Sequence, residues 1–251
     1  MVQTKSSKPY QLKGNQAVNV PVPIVGNLIY DELGQLALAK FNERFRGIND
    51  IEYESFPKEG WSVSFSNVPR ALGLNQILME ETNGNIRVLS PLEVVRYWDS
   101  IPNRSETYAD TNAVSLFQKE GSNEELRKRA LEIIGKDSKD LTNPLLVLNL
   151  GVEPSDNEFG FTFTETPYTQ AVEAPFLTQD QRVKYDAKKK TLASSKDRDG
   201  IQLWVPSLQS GLMGFYQSRL DGLYARYDDL LGSDWGGRIR LVQDPQVAPK
   251  I

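Results

Sequence analysis

The chain has no histidine and no cysteine among its 251 residues. Histidine is the only side chain whose unperturbed pKa lies near neutrality, and cysteine is the best nucleophile and soft-metal ligand among the side chains. Their absence excludes Ser-His-Asp and Cys-His catalysis, Cys/His zinc sites, haem and iron-sulfur ligation, disulfides and histidine pH switches. Any chemistry must use carboxylates, lysine, tyrosine, hydroxyl groups or hard cations bound by oxygen.

Nucleotide and hydrolase motifs are also missing from the sequence. It contains no Gly-x-Gly-x-x-Gly, no Walker-type phosphate loop and no Gly-x-Ser-x-Gly nucleophile elbow. We therefore expect no cofactor, and we lean against an enzyme. Adjacent Ser-Lys pairs such as Ser195-Lys196 leave Ser-Lys catalysis open, because such a dyad is recognised by its geometry in space.

No membrane-spanning or secretory segment is visible. The most apolar window, residues 144–152, is much shorter than the roughly 20 residues that a bilayer requires, and it contains Asn149. The N-terminus is polar and lacks the apolar stretch of a signal peptide. We expect a protein without signal peptide or transmembrane segment, located in the cytoplasm or within a virion.

The composition is that of a folded globular protein. Apolar residues make up 39% and charged residues 25% of the chain, which argues against disorder and against a coiled-coil rod. The 29 basic and 33 acidic residues give a net charge of −4, so the overall field does not attract nucleic acid or an anionic membrane.

The sequence predicts an α+β fold, with helices and a β-hairpin in the N-terminal half and a mainly antiparallel sheet in the C-terminal half. Helical spacing of apolar residues predicts the first helix over residues 27–46. Residues 77–81 and 86–89 flank Asn83-Gly84, a dipeptide typical of tight hairpin turns, and are predicted to pair as strands.

Two capping boxes predict helix starts. Ser90 and Glu93, with Pro91 between them, indicate a helix that begins at residue 91. Ser122 and Glu125 indicate a second helix that closes at Gly135.

The chain after the polar connector 136–143 is predicted to be rich in strands. The most ambiguous segment is 211–231, where apolar residues at alternating +3 and +4 steps favour a helix, while Asp221-Gly222 and three glycines favour a hairpin. We favour the helix narrowly. The predicted strands are residues 61–65, 145–150, 159–165, 171–177, 182–185, 201–205 and 238–242.

These patterns predict an extended N-terminal arm over residues 1–26, a mixed α/β subdomain over 27–135 and a strand-rich subdomain over 144–251. One compact domain agrees equally well with the sequence. The prolines of the arm favour extended backbone without ladder pairing, so Val20, Val22 and Ile24 are candidate partner-binding residues. We expect removal of residues 1–26 to weaken association and to leave the core folded.

Two acidic clusters in the sequence are candidate metal sites. Asp221, Asp228, Asp229 and Asp234 are better explained as a solvated face, since helical spacing would place Asp221 and Asp228 too far apart to share an ion. Asp197-Arg198-Asp199-Gly200 resembles part of a calcium loop, but Pro206 stands where the bidentate glutamate is needed. A turn explains that segment, and we expect no metal.

The main basic concentration spans residues 182–198 and includes Lys188, Lys189 and Lys190. A solvated hairpin tip explains it most simply, and an acidic protein partner or phosphate backbone would also satisfy its charges. These lysines are candidate partner-binding residues.

Taken together, the patterns favour a non-enzymatic structural or interaction protein with protein partners, forming a homo-oligomer or hetero-assembly such as a virus or phage particle. The alternatives are a divalent-cation-dependent hydrolase or nuclease that uses carboxylates, and a nucleic-acid-binding module that uses the lysine-rich loop. Nucleic acid is the weaker partner hypothesis because the loop lacks interleaved aromatic residues.

Overall fold

A computed structural model describes most of the chain. The described residues are 23–28, 31–48, 51–52, 65–196, 200–206, 208–219, 222–227, 229–232 and 236–244. They form four α-helices, α1 Glu32–Arg44, α2 Val68–Thr82, α3 Pro91–Arg96 and α4 Glu124–Ile133. Short 3-10 helices lie at Trp98–Ser100, Ser138–Asp140 and Pro175–Thr178. The strands among them are β1 Ile24–Asn27, β2 Ile86–Val88, β3 Tyr108–Leu116, β4 Leu145–Leu148, β5 Gly151–Pro154, β6 Phe161–Thr164, β7 Gln170–Glu173, β8 Gln181–Asp186, β9 Thr191–Ser194, β10 Ile201–Trp204, β11 Leu212–Gln217, β12 Gly222–Tyr227 and β13 Gly237–Gln243.

One large mixed sheet organises the fold. Its strand order is β1-β13-β3-β11-β12-β10-β8-β9, with β2 also paired to β13, β4 to β3 and β7 to β4. The β13–β3 and β10–β12 pairs are parallel, and the other pairs of this sheet are antiparallel. Strands β5 and β6 form a separate antiparallel pair.

The α+β class is confirmed, and the finer description of the fold is corrected. The sheet is mixed because β13 returns beside β3 in the same direction and β12 returns beside β10. The sheet also includes β1, β2 and β3 from the N-terminal half, and a 3-10 helix, Pro175–Thr178, lies in the C-terminal half. Strand β3 precedes the connector 136–143 and pairs with β4, which follows it.

The sheet separates two hydrophobic cores, because successive residues of a strand point to opposite faces. In β3, Val114 belongs to the first core and Ala113 to the second. The first core also receives buried residues from α1, α2, α4 and the β5–β6 pair. The second core receives residues from α3 and from the 3-10 helix Pro175–Thr178. Both faces of the sheet are therefore covered over part of their area.

The predicted hairpin at residues 77–89 is wrong. Residues 77–81 belong to α2, which is buried over most of its length and begins where the Asn67 side chain accepts a hydrogen bond from the Arg70 amide. Asn83 has φ 51° and Gly84 has φ 77°, so the positive φ values of this dipeptide end a helix and do not form a hairpin turn. Burial of α2 against the sheet favours the helix over the predicted hairpin.

The arm and the first helix also differ from expectation. Residues 24–26, predicted to be unpaired, and Asn27, predicted to begin the first helix, form β1 and pair antiparallel with β13. Helix α1 begins later than predicted, where the Asp31 side chain accepts a hydrogen bond from the Gly34 amide. Val25 is 5% exposed, so removal of residues 1–26 would take one buried side chain out of the second core.

The described residues of 211–231 include the antiparallel strand pair β11–β12, and the favoured helix is wrong. Strand β11 pairs antiparallel with β12, and β12 also pairs with β10. A Cβ atom on Gly222 would lie 1.9 Å from the Gln202 carbonyl oxygen, so this position admits only glycine without displacement. Of the apolar residues at this spacing, Met213 and Leu223 are buried in the second core and Leu230 in the first.

The other local predictions are largely confirmed. Ser90 and Glu93 form the predicted capping box at the start of α3. Helix α4 forms, but its N-cap is Asn123 and not the predicted Ser122; Asn123 has φ 59° and makes no side-chain cap bond. The segment predicted as strand 171–177 leaves the strand after Glu173. The predicted strands around 145–150, 159–165, 182–185, 201–205 and 238–242 are present, and residues 61–64 of the remaining one lie outside the described residues.

Candidate functional site

A cleft of about 480 Å³ lies between the end of α2, the start of α3, the end of β4 and the strand β8. Its volume is within the range of small-molecule sites. The lining is part polar and part apolar. It consists of Met79, Asn83, Gly84, Arg87, Ser90, Leu92, Glu93, Arg96, Asn112, Leu148, Asn149, Tyr168, Gln170 and Tyr185.

Two residues of the lining, Asn112 and Asn149, belong to a buried junction of three asparagines that also includes Asn75. Asn149 follows β4 in the left-handed conformation, with φ 58°. Its Oδ1 accepts hydrogen bonds from Asn75 Nδ2 over 3.0 Å and from Asn112 Nδ2 over 2.7 Å. Asn149 Nδ2 donates to the Tyr168 carbonyl oxygen. One side chain thus joins α2, β3 and the loop before β7.

The hydrogen bonds fix the orientation of each amide. Asn75 Oδ1 accepts from the Val88 backbone amide, so its Nδ2 must face Asn149. Asn112 must then also present its Nδ2 to Asn149, which leaves Asn112 Oδ1 without a hydrogen-bond partner among the described residues. Asn112 is 1% exposed. A buried acceptor left in this state costs about 1–3 kcal/mol.

Arg87 lines one wall with its charge compensated. It donates to Glu93 Oε1 and to both carboxylate oxygens of Asp244. Burial opposes the charged form, but the bond to Asp244 and the charges of Glu93 and Asp244 outweigh it, so the pKa of Arg87 is raised. Glu93 is also held by the Ser90 amide and hydroxyl. This hydrogen-bonded group formally pairs one guanidinium with two carboxylates.

Arg96 brings an exposed positive charge to the cleft, which Glu93 also lines. Its guanidinium carbon lies 5.1 Å from the ring centroids of both Tyr97 and Tyr185, the geometry of a cation–π pair. It makes no hydrogen bond and no ion pair with any residue that the structure describes. Burial raises the pKa of Tyr97 although Arg96 opposes this, so the phenol stays neutral near pH 7.

Tyr168 supplies an aromatic ring to the lining of the cleft. A Cβ atom on Gly84 would lie 3.2 Å from the Tyr168 ring, so the glycine allows the ring to pack against the end of α2. Thr166 and Thr169 hydroxyls donate to the Asn149 carbonyl oxygen and hold the loop that carries Tyr168. Met79 and Leu148 supply apolar surface nearby.

The acidic clusters found in the sequence do not come together in the described part of the chain. No group of three or more carboxylates there is arranged to hold a metal ion. Asp229 is exposed and accepts a hydrogen bond from the Gly232 amide. The remaining candidates Asp197, Asp199, Asp221, Asp228 and Asp234 lie outside the described residues.

The lysine candidates lie at the tip of the β8–β9 hairpin. Lys188, Lys189 and Lys190 are all exposed. Asp186 Oδ1 accepts from the backbone amides of Lys188 and Lys189, and Lys190 has φ 52°, so the turn has a defined conformation. None of the three ammonium groups forms an ion pair within the described ranges.

The arm candidates are described only in part. Ile24 is half-buried on β1 and packs against the first core. Val20 and Val22 lie outside the described residues. The structure therefore places Ile24 far along the sheet order from the lysines, since β1 and β9 are its two end strands.

Sequence reasoning missed the cleft. Asn149 inside the apolar run 144–152 was visible as a polar residue in a buried strand, and that anomaly was the available signal. Asn75, Asn112 and Arg96 carry no pattern of their own. They acquire a role only when α2, β3 and α3 meet.

Comparison of the chain with protein-family models, with curated proteins and with solved structures found no match. Among the described residues, no helix combines the length and the apolar character needed to cross a bilayer.

Proposed function

We propose that this chain is a non-enzymatic interaction protein, a subunit of a larger assembly such as a virus or phage particle, acting in the cytoplasm or within a virion. The observation that carries the proposal is the β8–β9 hairpin, which places three exposed lysines at one end of the large sheet. The proposed partner is a protein with an acidic surface.

Strand β9 offers a backbone edge beside these lysines. Among the described residues β8 is its only strand partner. An edge strand presents unpaired amide and carbonyl groups on which another chain can add a strand. Lysines beside such an edge would discourage indiscriminate pairing and favour a partner with carboxylates.

The turn is also organised for contact at low entropic cost. Asp186 holds the backbone amides of Lys188 and Lys189 over 2.9 and 3.1 Å. A preformed turn loses less conformational freedom on binding than an unstructured one. Tyr185 is the nearest aromatic residue in the chain, and it lines the cleft, which favours a protein partner over single-stranded nucleic acid.

The test is the mass of the native particle, compared between the parent protein and two triple variants. In the first variant Lys188, Lys189 and Lys190 are changed to glutamine. In the matched control the exposed residues Lys119, Lys128 and Lys136 are changed to glutamine, which removes the same charge elsewhere. We expect the first variant to lose association and the control to retain it.

A parent chain that is monomeric in its native extract would overturn the proposal. So would association that both triple variants retain equally. Fluorescence anisotropy with single-stranded oligonucleotides is the second arm, and sub-micromolar binding that depends on the three lysines would replace the protein partner by nucleic acid.

A further inference from the structure

We propose that Asn83 is a site of deamidation, and that the closed C-terminal end of α2 suppresses the reaction until this turn opens. The site is a covalent modification site of the chain itself, and its only co-reactant is water. It uses none of the residues of the lysine hairpin proposed above as a partner surface.

The sequence and the exposure of Asn83 favour the reaction. Asn83 is the only asparagine in the chain that is followed by glycine. Because glycine has no Cβ atom, its backbone nitrogen can approach the preceding side chain with little steric hindrance. Asn83 is also exposed, so water and hydroxide have access to it. In an unfolded chain, Asn83 should therefore be the most reactive asparagine of this protein.

Deamidation replaces the side-chain amide by a carboxylate in two steps. In the first step, the Gly84 backbone nitrogen loses its proton to hydroxide and forms a bond to Asn83 Cγ. The Cγ–Nδ2 bond breaks, and Nδ2 takes a proton from water and leaves as ammonia. In the second step, water adds to one carbonyl carbon of the five-membered imide and opens the ring. The product is aspartate or isoaspartate, according to which carbonyl is attacked.

The closed turn prevents the first step. Asn83 has φ 51° and ψ 44°, and at this ψ its Cβ and the Gly84 nitrogen lie on nearly opposite sides of the Cα–C bond. The imide ring requires both atoms on the same side, so the chain must rotate about this bond before the nitrogen can attack. The Gly84 amide also donates a hydrogen bond to the Met79 carbonyl oxygen over 2.8 Å, which the rotation breaks. The reaction therefore needs local opening at the end of α2.

Thr82 helps to hold the same turn closed. Its Oγ1 donates to the Leu78 carbonyl oxygen over 2.6 Å and accepts from the Ile86 amide over 2.9 Å. The Thr82 carbonyl oxygen accepts from the Asn85 amide. Hydrogen bonds thus close the turn on both sides of the reactive dipeptide, and loss of the Thr82 hydroxyl should increase the population of the open form.

The product should favour the open turn. A carboxylate at position 83 lies at the C-terminal end of α2, where the helix dipole opposes negative charge. Isoaspartate also adds a methylene group to the main chain inside the ring that the Gly84–Met79 hydrogen bond closes. Asn83 lines the cleft, so the modification also adds a negative charge to the lining.

The test is peptide mapping by mass spectrometry of the full chain, incubated in mildly alkaline buffer with and without guanidinium chloride. The variant T82V removes the hydroxyl from the turn. T178V is the matched control, since the exposed Thr178 hydroxyl also donates to a backbone carbonyl oxygen, that of Pro175. Hydrogen exchange of the Gly84 amide, followed by NMR, measures the opening of the turn directly.

We expect Asn83 to react faster than any other asparagine in the unfolded chain, and at least about tenfold more slowly in the native protein. T82V should raise the native rate roughly fivefold, because a hydrogen bond of ordinary strength is lost. It should accelerate hydrogen exchange of the Gly84 amide by the same factor. T178V should change neither rate.

Equal rates at Asn83 in the native and the unfolded chain would overturn the proposal. So would a T82V rate no higher than that of T178V, or faster reaction of another asparagine in guanidinium chloride. The comparison of native and unfolded parent protein needs no variant, so the proposal stays testable if T82V does not fold. None of these results bears on association through the lysine hairpin, so the two proposals fail independently.

Discussion

Asn75 on α2 donates a hydrogen bond to Asn149 over 3.0 Å, although 74 residues separate them in the chain. The bond joins the central buried helix to the residue that follows β4, and the same Asn149 oxygen also binds Asn112 of β3. Helix, sheet and loop are therefore joined by one buried polar junction. Its integrity governs both the stability of the fold and the shape of the cleft.

Asn149→Ala should lower the free energy of unfolding by about 2–4 kcal/mol, because it leaves buried donors unpaired and places alanine at a positive φ. Urea denaturation measures the loss. Asn143→Ala is the control, since the Asn143 side chain donates an exposed hydrogen bond to the Glu173 carboxylate. This substitution should change the free energy of unfolding by less than about 0.5 kcal/mol. Equal effects in the two variants would contradict the role assigned to the junction.

Gly222→Ala should separate β10 from β12. A Cβ atom there would lie 1.9 Å from the Gln202 carbonyl oxygen, so the two parallel strands must move apart. We expect a loss of at least about 3 kcal/mol, measured by thermal or urea unfolding. Gly135→Ala controls for the glycine change itself: no atom lies within 4 Å of its added Cβ, and its positive φ should cost only about 1 kcal/mol. If Gly222→Ala were no worse than Gly135→Ala, the close approach of the strands would be disproved.

Two truncations should differ in their effect on the core. Deletion of residues 1–22 keeps β1 and should leave the free energy of unfolding nearly unchanged. Deletion of residues 1–27 removes Val25 from the second core and the Asn27 oxygen that accepts from Arg240. Burial of one valine stabilises by about 1.5–3 kcal/mol, so the longer deletion should lose at least that amount. Chemical denaturation of both truncated proteins measures the difference in the free energy of unfolding. Equal values would show that β1 does not stabilise the fold.

Stability should be flat between pH 6 and pH 8. Among the described residues, four groups have a shifted pKa, and none of them enters this window. Burial and the charge of Arg238 lower the pKa of Arg240 to about 10, so that side chain is still protonated at neutral pH. We expect the free energy of unfolding to vary by less than about 0.5 kcal/mol across the window.

Acid should weaken the cap of the 3-10 helix Ser138–Asp140, in which the Asp137 side chain accepts a hydrogen bond from the Lys139 amide. The backbone amide of Lys139 lowers the pKa of Asp137 below its usual value of 3.8. A depressed carboxyl pKa contributes stability that is present above the unfolded value and is lost as pH falls through the folded value. Urea denaturation at several pH values tests both statements, and a steep slope between pH 6 and pH 8 would contradict the first.

Structural features that depend on residues close together in the chain could be predicted from the sequence. The capping box of Ser90 and Glu93 formed because its partners are three residues apart and need no distant contact. The strand containing Phe161 and Phe163 formed because alternation with threonine matches one buried and one wetter face. The lack of histidine and cysteine determined from the sequence alone which kinds of chemistry are excluded.

Where one sequence pattern was compatible with two local structures, tertiary packing determined which of them formed. Asn83-Gly84 supplies positive φ values, which serve a hairpin turn and a helix end equally, and burial of α2 against the sheet selected the helix. The glycine-rich segment around Gly222 became a strand because it packs against β10 at a distance that no side chain permits. The cleft depends still more on the fold: Asn75, Asn112 and Asn149 come from separate elements, and no spacing along the chain encodes the hydrogen bonds that bring them together.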